Sequence, residues 1–137
     1  EEALLAAHKQ LVRKSHRLLL IIEPKEEHRG EVLASKLEGE GWDVVCRSKD
    51  EDPDAECQVY IADHLGEAGL WMHLAPITYA GGSLGTGTHL NPLEPAALGS
   101  VVLFGPSGEY LRGNTPLGLF AKKSVKIYCV DHFWSIH

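Results

Sequence analysis

Between Gly81 and Gly99 the chain reads GGSLGTGTHLNPLEPAALG, a dense set of residues able to hold a polar ligand. Gly81, Gly82 and Ser83 leave an apolar run without bulk, so backbone N–H groups can approach a phosphate or sugar and the Ser83 hydroxyl can donate. The same residues suit a tight turn in which glycine only supplies dihedrals closed to other side chains. The spacing is neither GxGxxG nor GxxxxGK[ST], so neither named nucleotide loop is licensed. Asn91 is a good N-cap, Pro92 fits a first helical turn, and Glu94 stands where a capping box needs its carboxylate. Glu94 has a second use, since a fixed carboxylate can accept both hydroxyls of a ribose while the helix N-terminus faces an anion. One glutamate does not easily do both, and the residue pattern leaves the two uses level.

Two further segments carry polar groups. EPKEEHR offers Lys25, His28 and Arg29, cations suited to a phosphodiester or a carboxylate, although Glu26 and Glu27 also fit a solvated helix start. DHLGEAG offers Asp63, His64, Gly66 and Glu67. Asp63 and His64 have the types of an acid–base pair, but adjacency in the chain supports no general-base chemistry. The eight histidines show no HExxH or other ligand spacing, so His89 reads as a hydrogen-bonding loop residue rather than a metal ligand.

These segments need elements to position them. Glu1 to Ser15 has helical spacing at Leu4, Leu5, Ala7, His8, Leu11 and Val12, with acidic residues in front and Arg13 and Lys14 behind. The run RLLLII is of strand length and stops at Pro24. Glu26 to Glu40 is expected to be a helix with Val32, Leu33 and Leu37 facing the core, stopped by Gly39 and Gly41. Strands are expected at Trp42 to Arg47, Gln58 to Ala62, Ile77 to Ala80, Val101 to Phe104 and Val125 to Val130. SKDEDPDAEC is an acidic turn, Asp63 or His64 opens a helix running to Leu74, and Pro92 to Leu98 is a short helix closed by Gly99. Trp42 and Trp71 are packing residues on this reading.

Helices between short, nearly all-apolar strands point to an open α/β layer of about five or six parallel strands covered on both faces. Ligands of such sheets sit outside the carboxyl ends of the strands, and EPKEEHR, DHLGEAG and GGSLGTGTH each follow a strand directly. The length, 137 residues, suits one domain, residues 1–137. With 44% hydrophobic residues and a net charge of -6, the chain reads as a folded globule without a surface built to neutralise nucleic acid. Cys46, Cys57 and Cys129 form no CxxC pair and suggest neither a zinc knuckle nor a disulfide framework, which suits a reducing compartment. The longest apolar runs, such as Leu18 to Ile22, are too short to span a bilayer, and the opening residues are not expected to act as a signal peptide.

Taken in order, LLLIIEPKEEHRG, YIADHLGEAGLWMHLAPI and GGSLGTGTHLNPLEPAALGSVVLFGP resemble the C-terminal domain of the Kdo (3-deoxy-D-manno-octulosonic acid) transferases, over roughly Glu1 to Leu111. The resemblance implies a Rossmann-like open parallel sheet, the C-terminal half of a GT-B glycosyltransferase. It implies a domain that binds CMP-Kdo and a missing N-terminal half that binds the lipid A precursor and carries the catalytic carboxylate. The reaction implied is an early step of lipopolysaccharide core synthesis at the cytoplasmic face of the bacterial inner membrane. The full-length protein would be peripheral to that membrane and the isolated domain soluble. No metal or cofactor is implied.

By position, the resemblance puts Pro24 and Lys25 against CMP and makes Leu65, Gly66 and Glu67 the second donor-binding turn. It closes Asn91, Pro92, Leu93 and Glu94 around the nucleotide and brings Ser83 toward the donor sugar. The resemblance assigns no catalytic residue to this chain. The first block departs from the family in reading PKEEH where a PRH-type start is expected: lysine lacks the rigid fork of arginine, and Glu26 brings a negative charge. GTGTHL lacks the family's usual loop shape, and the text after Leu111 diverges. A non-catalytic binding or interaction module derived from the family is the alternative reading, and another nucleotide-sugar enzyme of similar fold, such as an epimerase, ranks below it.

Overall fold

A computed structural model describes residues 2–81, 91–104 and 127–129. Its helices are α1 (Glu2–Val12), α2 (Glu27–Gly39), α3 (Ala68–Leu74) and α4 (Leu93–Ala97). Its strands are β1 (Leu20–Ile22), β2 (Val44–Cys46), β3 (Val59–Ile61), β4 (Ile77–Tyr79), β5 (Val101–Phe104) and β6 (Ile127–Cys129). A 3-10 turn, Arg47–Lys49, follows β2. The chain divides into two compact units, Glu1–Ala68 and Gly69–His137. Each unit holds a three-stranded sheet, in the orders β1-β3-β2 and β4-β5-β6, and every pairing is parallel. The parallel α/β pattern read from the apolar runs is therefore present, with its strands divided between two sheets.

In the first unit, helices on the sheet produce one core: Leu5 of α1, Leu33, Ala34 and Leu37 of α2, Cys46, Val59 and Ile61. The parallel ladder explains why β3 is apolar throughout, since this central strand is buried along its whole length. The core face of α2 is carried by Leu33, Ala34 and Leu37, whereas Val32, expected to face inward, is 70% exposed. At about 100° per residue, Leu33, Leu37 and Ala34 fall within one stripe about 100° wide, while Val32 lies roughly 150° from its centre.

The stop at Gly41 follows from backbone geometry. Gly41 N–H bonds the Glu38 carbonyl and Trp42 N–H that of Leu37, each at 3.0 Å, with Gly41 at φ 88°. That is a Schellman closure, in which a left-handed residue turns the chain out of the helix. The same pair of bonds ends α4, from Gly99 to Ala96 and from Ser100 to Pro95. In the second unit Val102 is fully buried, with Met72, Ala80, Pro92, Pro95 and Ala96 also inside. Cys46 and Cys57 are buried free thiols, and burial pushes both thiol pKa values up, keeping them protonated.

One helix begins later than its pattern suggests. The helix expected from Asp63 or His64 starts at Ala68. Gly66 takes φ 89°, which no right-handed helix accommodates, and the preceding residues form a loop instead.

Candidate functional site

In the first unit the parallel strands β1, β2 and β3 end together, so the residues that follow them share one edge of the sheet. After β1 comes the 23–26 segment, in which Pro24 is buried and Lys25 and Glu26 are exposed. Glu26 caps α2 through its backbone, its carbonyl accepting Arg29 N–H at 3.0 Å, and its side chain makes no capping bond. Arg29 and His28 follow on the exposed face of the first helical turn.

After β3 comes the 63–67 loop. Asp63 is buried and its carboxylate takes two bonds from one residue: Ser48 N–H donates to Oδ1 at 2.8 Å and Ser48 Oγ–H donates to Oδ2 at 2.7 Å. Behind Asp63 lies Gly30 of α2, so close that a β-carbon there would meet Asp63 Cβ and Oδ2 at 2.6 Å. Only glycine lets the helix approach the loop to this depth. Asp63 is thus fixed as an anchor for the turn after β2, and His64 beside it faces solvent. An open cleft of about 240 Å³ is lined by His28, Glu31, Ser48, Asp63 and His64.

Leu65 is 61% exposed, and Gly66 has open space on its α-carbon. Glu67 closes the loop with a side-on ion pair: Arg47 Nε donates to Oε2 at 3.0 Å and Nη2 to Oε1 at 3.1 Å. These hydrogen bonds hold the Glu67 carboxyl below its ordinary range and raise Arg47 further still. A ligand at this turn therefore meets a carboxylate already engaged at both oxygens, together with the Leu65 side chain and the Gly66 backbone.

In the second unit, Asn91 precedes α4 and its Oδ1 accepts Leu93 N–H at 3.1 Å. Asn91 thus braces the start of α4 through an Asx-type bond from one residue before the N-cap, which is Pro92 and makes no side-chain capping bond. The reciprocal half of a capping box is not among the described hydrogen bonds, and Glu94 is exposed. Pro92 is buried and Leu93 half-buried, so they fix the turn that presents Asn91 and Glu94. Ser83 and His89 lie outside the described residues, as does Gly82.

The structure thus brings Pro24 and Lys25 to the same sheet edge as Leu65, Gly66 and Glu67, and it sets Asn91, Pro92, Leu93 and Glu94 together on the second unit. Reading the sequence missed Arg47 and Ser48, the last residue of an expected strand and the first of an acidic turn. The rule that ligand-side residues follow strand ends applies equally to β2, and it would have singled them out. Among the described residues no group of three or more His, Cys, Asp and Glu could hold a metal ion, and no helix is long and apolar enough to cross a membrane.

No protein-family profile matches the chain. It is 35% identical over 105 residues to a 3-deoxy-D-manno-octulosonic acid transferase of Haemophilus influenzae, covering 77% of this chain and 25% of that protein. It is 36% identical over 107 residues to a probable mitochondrial 3-deoxy-D-manno-octulosonic acid transferase of Arabidopsis thaliana, covering 77% of this chain and 24% of that protein. The chain therefore spans about a quarter of the length of these curated relatives. Among solved structures it matches the C-terminal CMP-Kdo binding domain of WaaA from Acinetobacter baumannii with a TM-score of 0.75 and 26% identity, over 90% of this chain and 64% of that one. That match also places the open parallel sheets and their helices in the Rossmann-like fold of a GT-B C-terminal domain. Related in sequence along most of its length and in fold to the C-terminal domain of one member, the chain belongs to the 3-deoxy-D-manno-octulosonic acid transferase family.

Proposed function

We infer that the chain binds CMP-Kdo and serves as the donor half of a glycosyltransferase that moves Kdo onto a lipid A precursor. The observation that carries this reading is the match to the Acinetobacter baumannii CMP-Kdo binding domain over 90% of the chain. The placement of Lys25 and the Leu65–Glu67 turn on one sheet edge supports it, as does the exposed Glu94 beside a capped turn.

The contribution of such a half is placement. Lys25 would offset the phosphate charge, the turn at Leu65, Gly66 and Glu67 would receive the nucleotide, and Glu94 would accept the ribose hydroxyls. Ser83, by its position after β4, would approach the donor sugar. The site would hold CMP as the leaving group and orient the anomeric carbon toward an acceptor hydroxyl. Acceptor binding and deprotonation belong to an N-terminal domain at the cytoplasmic membrane face, and no residue of this chain is assigned a catalytic role.

Titration of the 15N-labelled chain with CMP tests the reading. Resonances of Gly66 and Glu94 are expected to shift, and an unchanged spectrum at millimolar CMP overturns it. A non-catalytic module derived from the family is the second reading, favoured by Glu26, whose exposed charge sits beside Lys25. Kdo transfer on mixing with a family N-terminal half would eliminate that alternative.

A further inference from the structure

Two consecutive residues of the turn after β2 hold the two ends of the loop after β3. Arg47 grips Glu67 through two nitrogens at 3.0 and 3.1 Å, and Ser48 grips Asp63 through its amide and hydroxyl at 2.8 and 2.7 Å. Between these anchors, His64, Leu65 and Gly66 arch into solvent. The arch has few interactions of its own to hold it: Leu65 is exposed and Gly66 has nothing within 4 Å of its α-carbon's missing substituent. On its far side Asp63 is stopped by Gly30, at 2.6 Å from where a β-carbon would stand. A loop containing glycine in a left-handed conformation has many alternative shapes, and four charge-assisted hydrogen bonds from one turn remove most of them.

We propose that Arg47 and Ser48 are positioning residues, which clamp the 63–67 loop in the one shape that presents Leu65 and Gly66 to the nucleotide. Neither residue needs to touch the ligand. Their effect is to order the loop before binding, so that CMP does not bear that entropy. The clamp deepens the CMP-binding reading and rests on it for the identity of the ligand, but the order of the loop is a property of the free chain. The side-on geometry lets lysine replace Arg47 only in part, since lysine offers charge without a planar fork.

The test uses the whole 137-residue chain and two readouts. In the ligand-free protein, backbone order parameters at residues 64–66 are expected to fall from about 0.85 toward about 0.6 in Arg47→Ala, with β3 amides unmoved. Arg47→Lys should fall between, and Ser48→Ala should loosen the Asp63 end. CMP affinity should drop by about tenfold in Arg47→Ala and less in Arg47→Lys, the loss of a preordered loop. The folded dispersion of the β3 resonances in Arg47→Lys guards against a variant that merely unfolds. Loop order parameters equal to wild type in all three variants, or CMP affinity unchanged in Arg47→Ala, overturn the clamp. Failure of the wild-type chain to bind CMP overturns the nucleotide reading instead, and the order parameters then decide the clamp alone.

Discussion

His8 of α1 is stacked on Trp42, with ring centroids 5.4 Å apart and planes 19° from parallel, while its Nε2 lies 2.8 Å from the carbonyl oxygen of Gln58. That carbonyl can only accept, so Nε2 carries the proton and donates it. The same oxygen accepts Leu20 N–H at 3.0 Å, which ties α1 to the start of the β1–β3 ladder.

Acid should therefore loosen α1. Burial lowers the His8 pKa from its ordinary 6.5, outweighing the opposing effect of the Gln58 bond. The unfolded chain then binds the proton more readily than the folded one, so His8 contributes full stability above pH 6.5 and loses it as pH falls below that value. Thermal melts from pH 7.5 to pH 5 should show a falling Tm in wild type and a shallower fall in His8→Phe, which keeps a stacked ring without a titrating nitrogen. Parallel slopes would show that other groups set the acid limit.

Gly30→Ala poses a choice between two opposed effects. Alanine favours helix over glycine by about 1 kcal/mol. Its β-carbon would meet Asp63 at 2.6 Å, and overpacking of this kind costs about 1–3 kcal/mol. Asp63 has little freedom to retreat because Ser48 holds both its oxygens. Net destabilisation is expected in urea denaturation, and a gain in stability would mean that α2 moves away from the loop without penalty.

Asn91 and Glu94 should separate cleanly. Asn91→Ala removes the acceptor of Leu93 N–H and should cost about 0.5–1.5 kcal/mol, the ordinary net worth of one hydrogen bond. Glu94→Ala should leave the melting curve in place, because the side chain is exposed, and should weaken CMP binding. Calorimetric CMP titrations of both variants beside their melts check the division. Equal loss of stability in the two would restore the capping box.

Glu26 places an exposed negative charge beside Lys25. Glu26→Gln is expected to tighten CMP by roughly two- to fivefold, the size of an exposed charge interaction. The gain should shrink as salt rises from 10 mM to 500 mM, where screening removes it. An affinity insensitive to the substitution at low salt would place the phosphate elsewhere.

Much of the fold was legible because its signals are local. LLLII, VYI and VVLF are apolar runs of strand length, and Gly41 and Gly99 mark helix ends whose hydrogen bonds span five residues or fewer. The block order from Pro24 to Glu94 carried the family resemblance, because it records order and spacing along one chain. Sequence could not decide whether Glu94 caps or binds, since both uses need the same residue at the same place; the structure adds that its side chain is exposed, and the paired variants above separate the two uses. Nor could it show that Val32 faces outward or that the helix after β3 waits until Ala68. The Arg47–Glu67 and Ser48–Asp63 contacts join residues 20 and 15 apart, and His8 meets Gln58 across 50. Periodicity reads neighbours within a few positions. The contacts that shape the loop and seat α1 arise only when parallel pairing brings the ends of β1, β2 and β3 side by side.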